Sequence, residues 1–382
     1  MSTLADRESA AIMPTYKRYP VTFVRGEGTR LWDDQRKEYL DFAAGIAVAS
    51  IGHSHSRWVE AVCSQAGQLA HVSNLFYTEP QVELAERLTS VTGMSQAFFA
   101  NSGAEANEAA VKLARRATGR SKVVAAIGSF HGRTFATLAA TGQKEKHDAF
   151  MPLPDWFVHV PYGDVSSLRA AVDNETSAVL LEPVLGEGGV IPARDGYLEA
   201  ARKACDTAGA LLILDEVQTG VGRCGAWLAS QLADVQPNVV TLAKALGGGL
   251  PIGACLSREG IAFAAGEHAS TFGGGPIVCA ASLAVLEVIE KEGLLENAKQ
   301  RGEQLIKGLG ELQVETRGLG LLVGAKVEGE KADPIVRAAL QEGLVLTVAG
   351  KDVVRFTPPL TVSAAEVDEA VARFSRALEA AA

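Results

Sequence analysis

From residue 98 to residue 276, short and nearly unbroken apolar runs alternate with stretches of helical spacing. Phe98-Phe99-Ala100, Lys122 to Ile127, Ala178 to Leu181, Leu211 to Leu214 and Val239 to Leu242 read as strands. Ala104 to Ala117 and Tyr197 to Thr207 read as helices, and Gly209 suits the C-terminal end of the second. Strands without polar alternation are buried on both faces, so the pattern predicts a mostly parallel sheet flanked by helices. Past Pro276 the texture changes. A long helical segment from Ile277 to about Leu309, broken near Gly293, precedes strands at Leu321–Val327, Leu344–Val348 and Val353–Phe356. An amphipathic helix from Ala364 to Leu378 closes the chain. The expected fold class is α/β: a large α/β domain over 46–276 and a smaller α+β domain over 277–382. Residues 1–45 are expected to pack with the smaller domain.

Composition narrows the partners. The 382 residues are 47% hydrophobic and 21% charged, an ordinary globular balance that argues against extensive disorder. Lys and Arg number 36 against 45 Asp and Glu, a net charge of −9 that disfavours nucleic acid. The densest basic run, Lys112 to Lys122, is interleaved with alanine and makes no continuous patch. The richest apolar stretch, Phe42 to Ile51, is broken by Gly45 and Ser50 and falls short of the ~18 residues of a membrane span. Met1 to Glu8 has both charge signs and no apolar signal region. Five scattered cysteines without a CxxC pair read as reduced thiols. The expectation is a cytoplasmic protein without nucleic-acid or membrane partners. His53 and His55 form an HxH pair with no cysteine set beside it, so a polar turn is expected there and no metal.

Three segments carry candidate chemistry. Asn101-Ser102-Gly103-Ala104-Glu105 lies between a strand and a helix, where small residues let backbone N–H groups approach an anion. A tight turn with Ser102 as helix cap explains the same residues. Neither a GxxxxGK[ST] loop nor a GxGxxG motif occurs; Gly350-Lys351 continues into Asp352. Asp215 directly follows four aliphatics, at the end of a strand where open α/β sheets place ligands. Lys244, in Thr241-Leu242-Ala243-Lys244-Ala245-Leu246-Gly247, stands among apolar and small residues that would desolvate its amine and make it nucleophilic. An anion cradle, an acid for a pyridinium nitrogen and a Schiff-base lysine are together the requirements of pyridoxal 5'-phosphate (PLP) chemistry.

From Gly45 through Arg355 the chain resembles the class III (ω-) PLP-dependent aminotransferases, most of all the branch that acts on acetylornithine. The resemblance rests on Asn101–Arg115, Ser129–Thr134, Gly186–Val190, Leu211–Arg223 and Thr241–Ala254. It implies PLP fold type I with a seven-stranded, mostly parallel sheet in the large domain. It makes Lys244 and Asp215 catalytic. It places Ser102, Gly103, Ala104, Phe130, Glu216, Val217 and Gln218 against the cofactor, with Phe130 stacked on the ring. Thr271 resembles a threonine that reaches the phosphate from a neighbouring subunit, which implies a homodimer with shared sites. Arg133, helped by Ser270, would grip the distant carboxylate of the substrate. Arg355 would bind the near carboxylate of glutamate or 2-oxoglutarate, with Glu187 covering it at other times. The activity implied is ping-pong transfer of the δ-amine of N-acetylornithine to 2-oxoglutarate, giving N-acetylglutamate 5-semialdehyde and glutamate in arginine biosynthesis. N-acetyl-lysine, succinylornithine, ornithine and 4-aminobutyrate are alternative donors, and a non-catalytic phosphate-ligand binding protein is the alternative of a different class. The chain departs from the family pattern at Leu185, Cys224 and Gly275, which bear on the rim of the substrate pocket.

Overall fold

The computed structural model describes residues 3–381. Its largest sheet has seven strands in the order Gln96–Ala100, Gly253–Ser257, Val239–Leu242, Leu211–Asp215, Thr176–Leu181, Lys122–Ala126 and Phe157–Val160. Neighbours are parallel except around Gly253–Ser257, which runs antiparallel to both of its partners. Five of the seven are the apolar runs read from the sequence. The other two lack that signature: Phe157–Val160 is a half-buried edge strand with a histidine inside it, and Gly253–Ser257 is built of small residues after a glycine-rich run.

The helix Gly103–Thr118 shows how pattern becomes packing. Ser102 caps it by accepting the Glu105 N–H at 3.2 Å, and Gly119 ends it at φ 70°. Its buried face, Ala106, Ala109, Ala110, Leu113 and Ala114, follows i, i+3, i+4 spacing, and the small side chains let the helix lie close on the sheet. The long helical segment is two helices, Pro276–Lys291 and Leu294–Glu311, separated at Gly293, which has φ 65°.

The run Leu344–Val348 is not one strand. Leu344–Val345 pairs in parallel with Glu38–Asp41, in a four-stranded sheet with Arg30–Asp33 and Phe23–Glu27. Thr347–Ala349 pairs instead with Val353–Phe356 in a second four-stranded sheet. The chain crosses between sheets at Leu346, itself 2% exposed, so an unbroken apolar run conceals the turn. One apolar cluster joins Leu40, Phe42, Leu246, Val285, Leu305, Phe356 and Phe374. Each such side chain contributes about 1.5–3 kcal/mol by leaving water. This cluster fixes the ends of the central strands relative to the strand that carries Arg355.

Among the described residues no helix is long and apolar enough to cross a membrane, and no group of three or more His, Cys, Asp or Glu is placed to share a metal. His53 and His55 diverge, each beside a carboxylate of its own: Asp41 at 2.8 Å and Glu292 at 3.1 Å.

Candidate active site

A cavity of about 420 Å³ opens at the C-terminal ends of the central strands. Lys244 enters it two residues after the strand Val239–Leu242. Its backbone is held at φ 39°, a left-handed conformation uncommon outside glycine, between the buried Ala243 and Ala245. Burial pulls its ammonium below the ordinary lysine value; Glu187 opposes that shift and Arg355 adds to it. Among the described residues the Lys244 amine makes no hydrogen bond and no salt bridge.

Asp215 ends the neighbouring strand and is 3% exposed. Its Oδ2 accepts from Asn107 Nδ2 at 2.7 Å and lies 2.8 Å from His131 Nδ1, while Oδ1 accepts the Val217 N–H at 3.0 Å. Asn107 is fixed in turn by Thr241, whose hydroxyl donates to its Oδ1 at 2.7 Å. The carboxylate is therefore locked in orientation by three elements.

The opposite end of the cavity is a helix N-terminus. The N–H groups of Gly103 and Ala104 have no acceptor among the described residues, as expected for the first turn of a helix. The packing there requires glycine. A Cβ on Gly103 would stand 2.8 Å from Val217 Cγ1, and one on Gly253 would stand 2.2 Å from the Ser102 carbonyl oxygen. Because the second obstacle is backbone, Gly253→Ala is expected to cost ~1–3 kcal/mol of stability and to weaken anion binding at the cradle. A thermal melt paired with a phosphate-ligand titration checks both.

Arg355, 1% exposed, donates from Nη1 to Glu187 Oε1 at 2.5 Å, the Gly186 carbonyl at 3.1 Å and Gln218 Oε1 at 3.2 Å; its Nε donates to Thr347 Oγ1 at 3.2 Å. Burial pushes the Glu187 carboxyl up, but Arg355 and Lys244 together overcome it and leave it below its ordinary value. Arg133 lines the cavity with its guanidinium 5.6 Å from the centre of the Phe130 ring.

Of the residues expected from sequence, Ser102, Gly103, Ala104, Phe130, Arg133, Glu187, Asp215, Val217, Gln218 and Lys244 line this cavity, and Arg355 adjoins it through Glu187 and Gln218. The Glu216 side chain does not line it. Successive side chains at a strand end point to opposite faces. The Glu216 carboxylate accordingly turns away to accept from Thr219 Oγ1, the Ala229 N–H at 2.9 Å and the Ser230 N–H at 2.8 Å. Ser270 and Thr271 lie outside the cavity of their own chain. Ser270 Oγ accepts from Asn101 Nδ2 at 3.3 Å and from the Gly273 N–H at 3.0 Å, and Thr271 is exposed. Leu185, Cys224 and Gly275 are not among the lining residues either. Sequence reasoning missed several lining side chains, among them the polar Asn107, His131 and Glu182. Glu182 carried a usable signal, because it follows the apolar run Ala178–Leu181 just as Asp215 follows Leu211–Leu214.

Free first-turn N–H groups, a buried carboxylate held in place and an unpaired, half-buried amine in one cavity fit the phosphate, ring nitrogen and carbonyl of PLP. The chain also matches the aminotransferase class-III family over residues 11–378. It belongs to the class-III aminotransferases. Members of this family are PLP-dependent, so the enzyme is a PLP-dependent aminotransferase, and the reading as a non-catalytic phosphate-ligand protein is set aside. It is 48% identical over 377 residues to an acetylornithine aminotransferase of Methanothermobacter thermautotrophicus, covering 96% of both chains. An ornithine aminotransferase structure from Toxoplasma gondii, whose active site holds PLP at partial occupancy, superposes with a TM-score of 0.95 at 31% identity; the match covers 99% of this chain and 95% of that one. The N-acetylornithine aminotransferase structure from Stenotrophomonas maltophilia gives a TM-score of 0.84 at 36% identity, covering 96% and 97%. These likenesses establish PLP fold type I for the aminotransferase.

Proposed function

We propose that this aminotransferase moves the δ-amine of N-acetylornithine to 2-oxoglutarate in two half-reactions, yielding N-acetylglutamate 5-semialdehyde and glutamate in arginine biosynthesis. The observation that carries this reading is the ion pair of the buried Arg355 with the half-buried Glu187 beside Lys244. PLP, when bound, supplies an electron-withdrawing ring and a carbonyl that make the hydrogen on the amine-bearing carbon of the donor acidic. Gly103 and Ala104 would hold its phosphate by backbone N–H groups, Phe130 would cover one face of the ring, and Asp215 would face the ring nitrogen. Lys244 Nζ takes the proton from the donor carbon, a task suited to an amine whose pKa burial has lowered. Asp215, fixed by Asn107 and His131, stays aimed at the position where positive charge must be kept.

Selectivity follows from the two arginines. With Glu187 seated on Arg355, a donor with an uncharged alkyl chain meets no free cation near its reacting amine, and its distant carboxylate goes to Arg133. Glutamate brings a carboxylate next to the reacting amine, which displaces Glu187 and takes Arg355. Glu187→Gln removes the competing charge and is expected to favour the glutamate half-reaction over the acetylornithine one by roughly ten-fold. Unchanged single-turnover rates with both donors reject the gate.

Donors longer by one methylene differ by only ~1–3 kcal/mol in an apolar pocket, so activity on N-acetyl-lysine is expected beside that on N-acetylornithine. A comparison of kcat/KM for N-acetylornithine, N-acetyl-lysine, succinylornithine, ornithine and 4-aminobutyrate tests the assignment. N-acetylornithine is expected to lead ornithine and 4-aminobutyrate by roughly ten-fold or more. Equal or higher values for either of these rivals overturn it.

A homodimer completes the reading. Leu75, Phe76, Tyr77 and Phe272 are 66–100% exposed, and Phe272 adjoins Thr271. Large apolar side chains gathered this way suit burial against a second copy, which would carry Thr271 towards the partner's cavity. The division into residues 1–45, 46–276 and 277–382 accords with the separate small sheet that carries Arg355. A cytoplasmic location suits five free cysteines.

A further inference from the structure

One buried carboxylate in the cavity has no task in the reaction as derived above. Glu182 follows the strand Thr176–Leu181 and is 5% exposed. Its Oε1 accepts the Phe130 N–H at 2.8 Å, and its Oε2 accepts the Gly186 N–H at 3.1 Å. The Gly186 carbonyl accepts in turn from Arg355 Nη1 at 3.1 Å, the same nitrogen that holds Glu187. Hydrogen bonds thus run without a break from the aromatic wall of the cavity to the gate. Burying this carboxylate is unfavourable: burial pushes its carboxyl above the ordinary value, with His131 opposing the rise and Asp215 adding to it. Its bonds to the Phe130 and Gly186 N–H groups offset part of that cost. Its distinctive property is two acceptor oxygens without a donor; glutamine would turn its NH2 against one of the two N–H groups.

We propose that Glu182 is a positioning residue that couples the two loops, holding the Gly186 backbone still so that Glu187 leaves Arg355 by side-chain rotation while Phe130 keeps its place. This rests on the dicarboxylate gate of the proposed function. Arg317 Nε holds the far end of the gate loop through the Gly189 carbonyl at 2.9 Å, so with the Glu182 bond lost it is the Gly186 end that moves when Glu187 is displaced. The seat of a dicarboxylate on Arg355 then loosens. A donor whose carboxylate goes to Arg133 depends far less on that loop.

The test uses the PLP-loaded enzyme and the variant Glu182→Gln. Amide hydrogen exchange is followed in peptides covering residues 129–134 and 184–190, and KM and kcat are measured for 2-oxoglutarate and for the monocarboxylate donor. Exchange is expected to accelerate in both peptides, by roughly ten-fold or more at the Phe130 and Gly186 amides. KM for 2-oxoglutarate is expected to rise roughly ten-fold or more, and KM for the donor by less than about three-fold. Acceleration in neither peptide, or equal rises in both KM values, overturns the coupling. Should the glutamine variant not fold, Glu182→Leu, which removes both acceptors without adding a donor, carries the same measurements and the same expected directions. An enzyme showing no 2-oxoglutarate-dependent transfer would refute the proposed function, while the exchange result would still decide the Glu182 bridge.

Discussion

Replacing Lys244 by alanine is expected to lower amine transfer by roughly 10⁴-fold or more while leaving the protein folded. Two proposed functions vanish with one side chain: the amine that would hold PLP covalently, and the base beside the donor carbon. Among the described residues no other lysine lines the cavity, so nothing takes over. The fold should not suffer, because burial already opposes the Lys244 ammonium and its removal relieves that cost. Phosphate binding at Gly103 and Ala104 does not involve Lys244, so the variant should retain PLP noncovalently. Borohydride reduction should label position 244 in the parent and leave no label in the variant. Single-turnover absorbance and a thermal melt complete the test; retained turnover would remove Lys244 from the mechanism.

Asp215→Asn is expected to slow the chemical step by roughly 10²–10³-fold with a much smaller change in KM. The substitution preserves shape but removes the negative charge proposed to face the ring nitrogen. It also cannot satisfy its neighbours. Asp215 accepts from three donors, Asn107 Nδ2, His131 Nδ1 and the Val217 N–H, and an amide must turn its NH2 towards one side of that set. The buried group left unpaired costs about 1–3 kcal/mol, so the melting temperature should fall together with the rate. A rate equal to that of the parent would mean that the charge at Asp215 is not used.

Local sequence revealed those groups whose setting is local. Asp215 and Lys244 each follow an apolar run that forms a central strand, and Gly103 opens a helix whose periodicity is plain. The direction of the Glu216 side chain was not legible, because adjacency along the chain does not tell which side of the sheet a side chain takes. Glu182 went unassigned despite carrying the same signal as Asp215, and nothing nearby in sequence announced its distant partner Phe130. Phe130 is 52 positions away and His131 is 84 positions from Asp215.

The sequence by itself determined the alternation of strands and helices, the chemistry of the cradle, the acid and the amine, and through them the class of cofactor. These follow from short-range properties: apolar spacing, helix capping, and the desolvation a lysine meets among small apolar neighbours. Only the tertiary structure decided the order of the seven strands, the splitting of Leu344–Val348 between two sheets, and the meeting of Arg355 with Glu187 across 168 positions of chain. Those depend on which apolar faces bury one another, and many pairings bury similar area. The choice among them is made by the whole core at once, so no single segment records it.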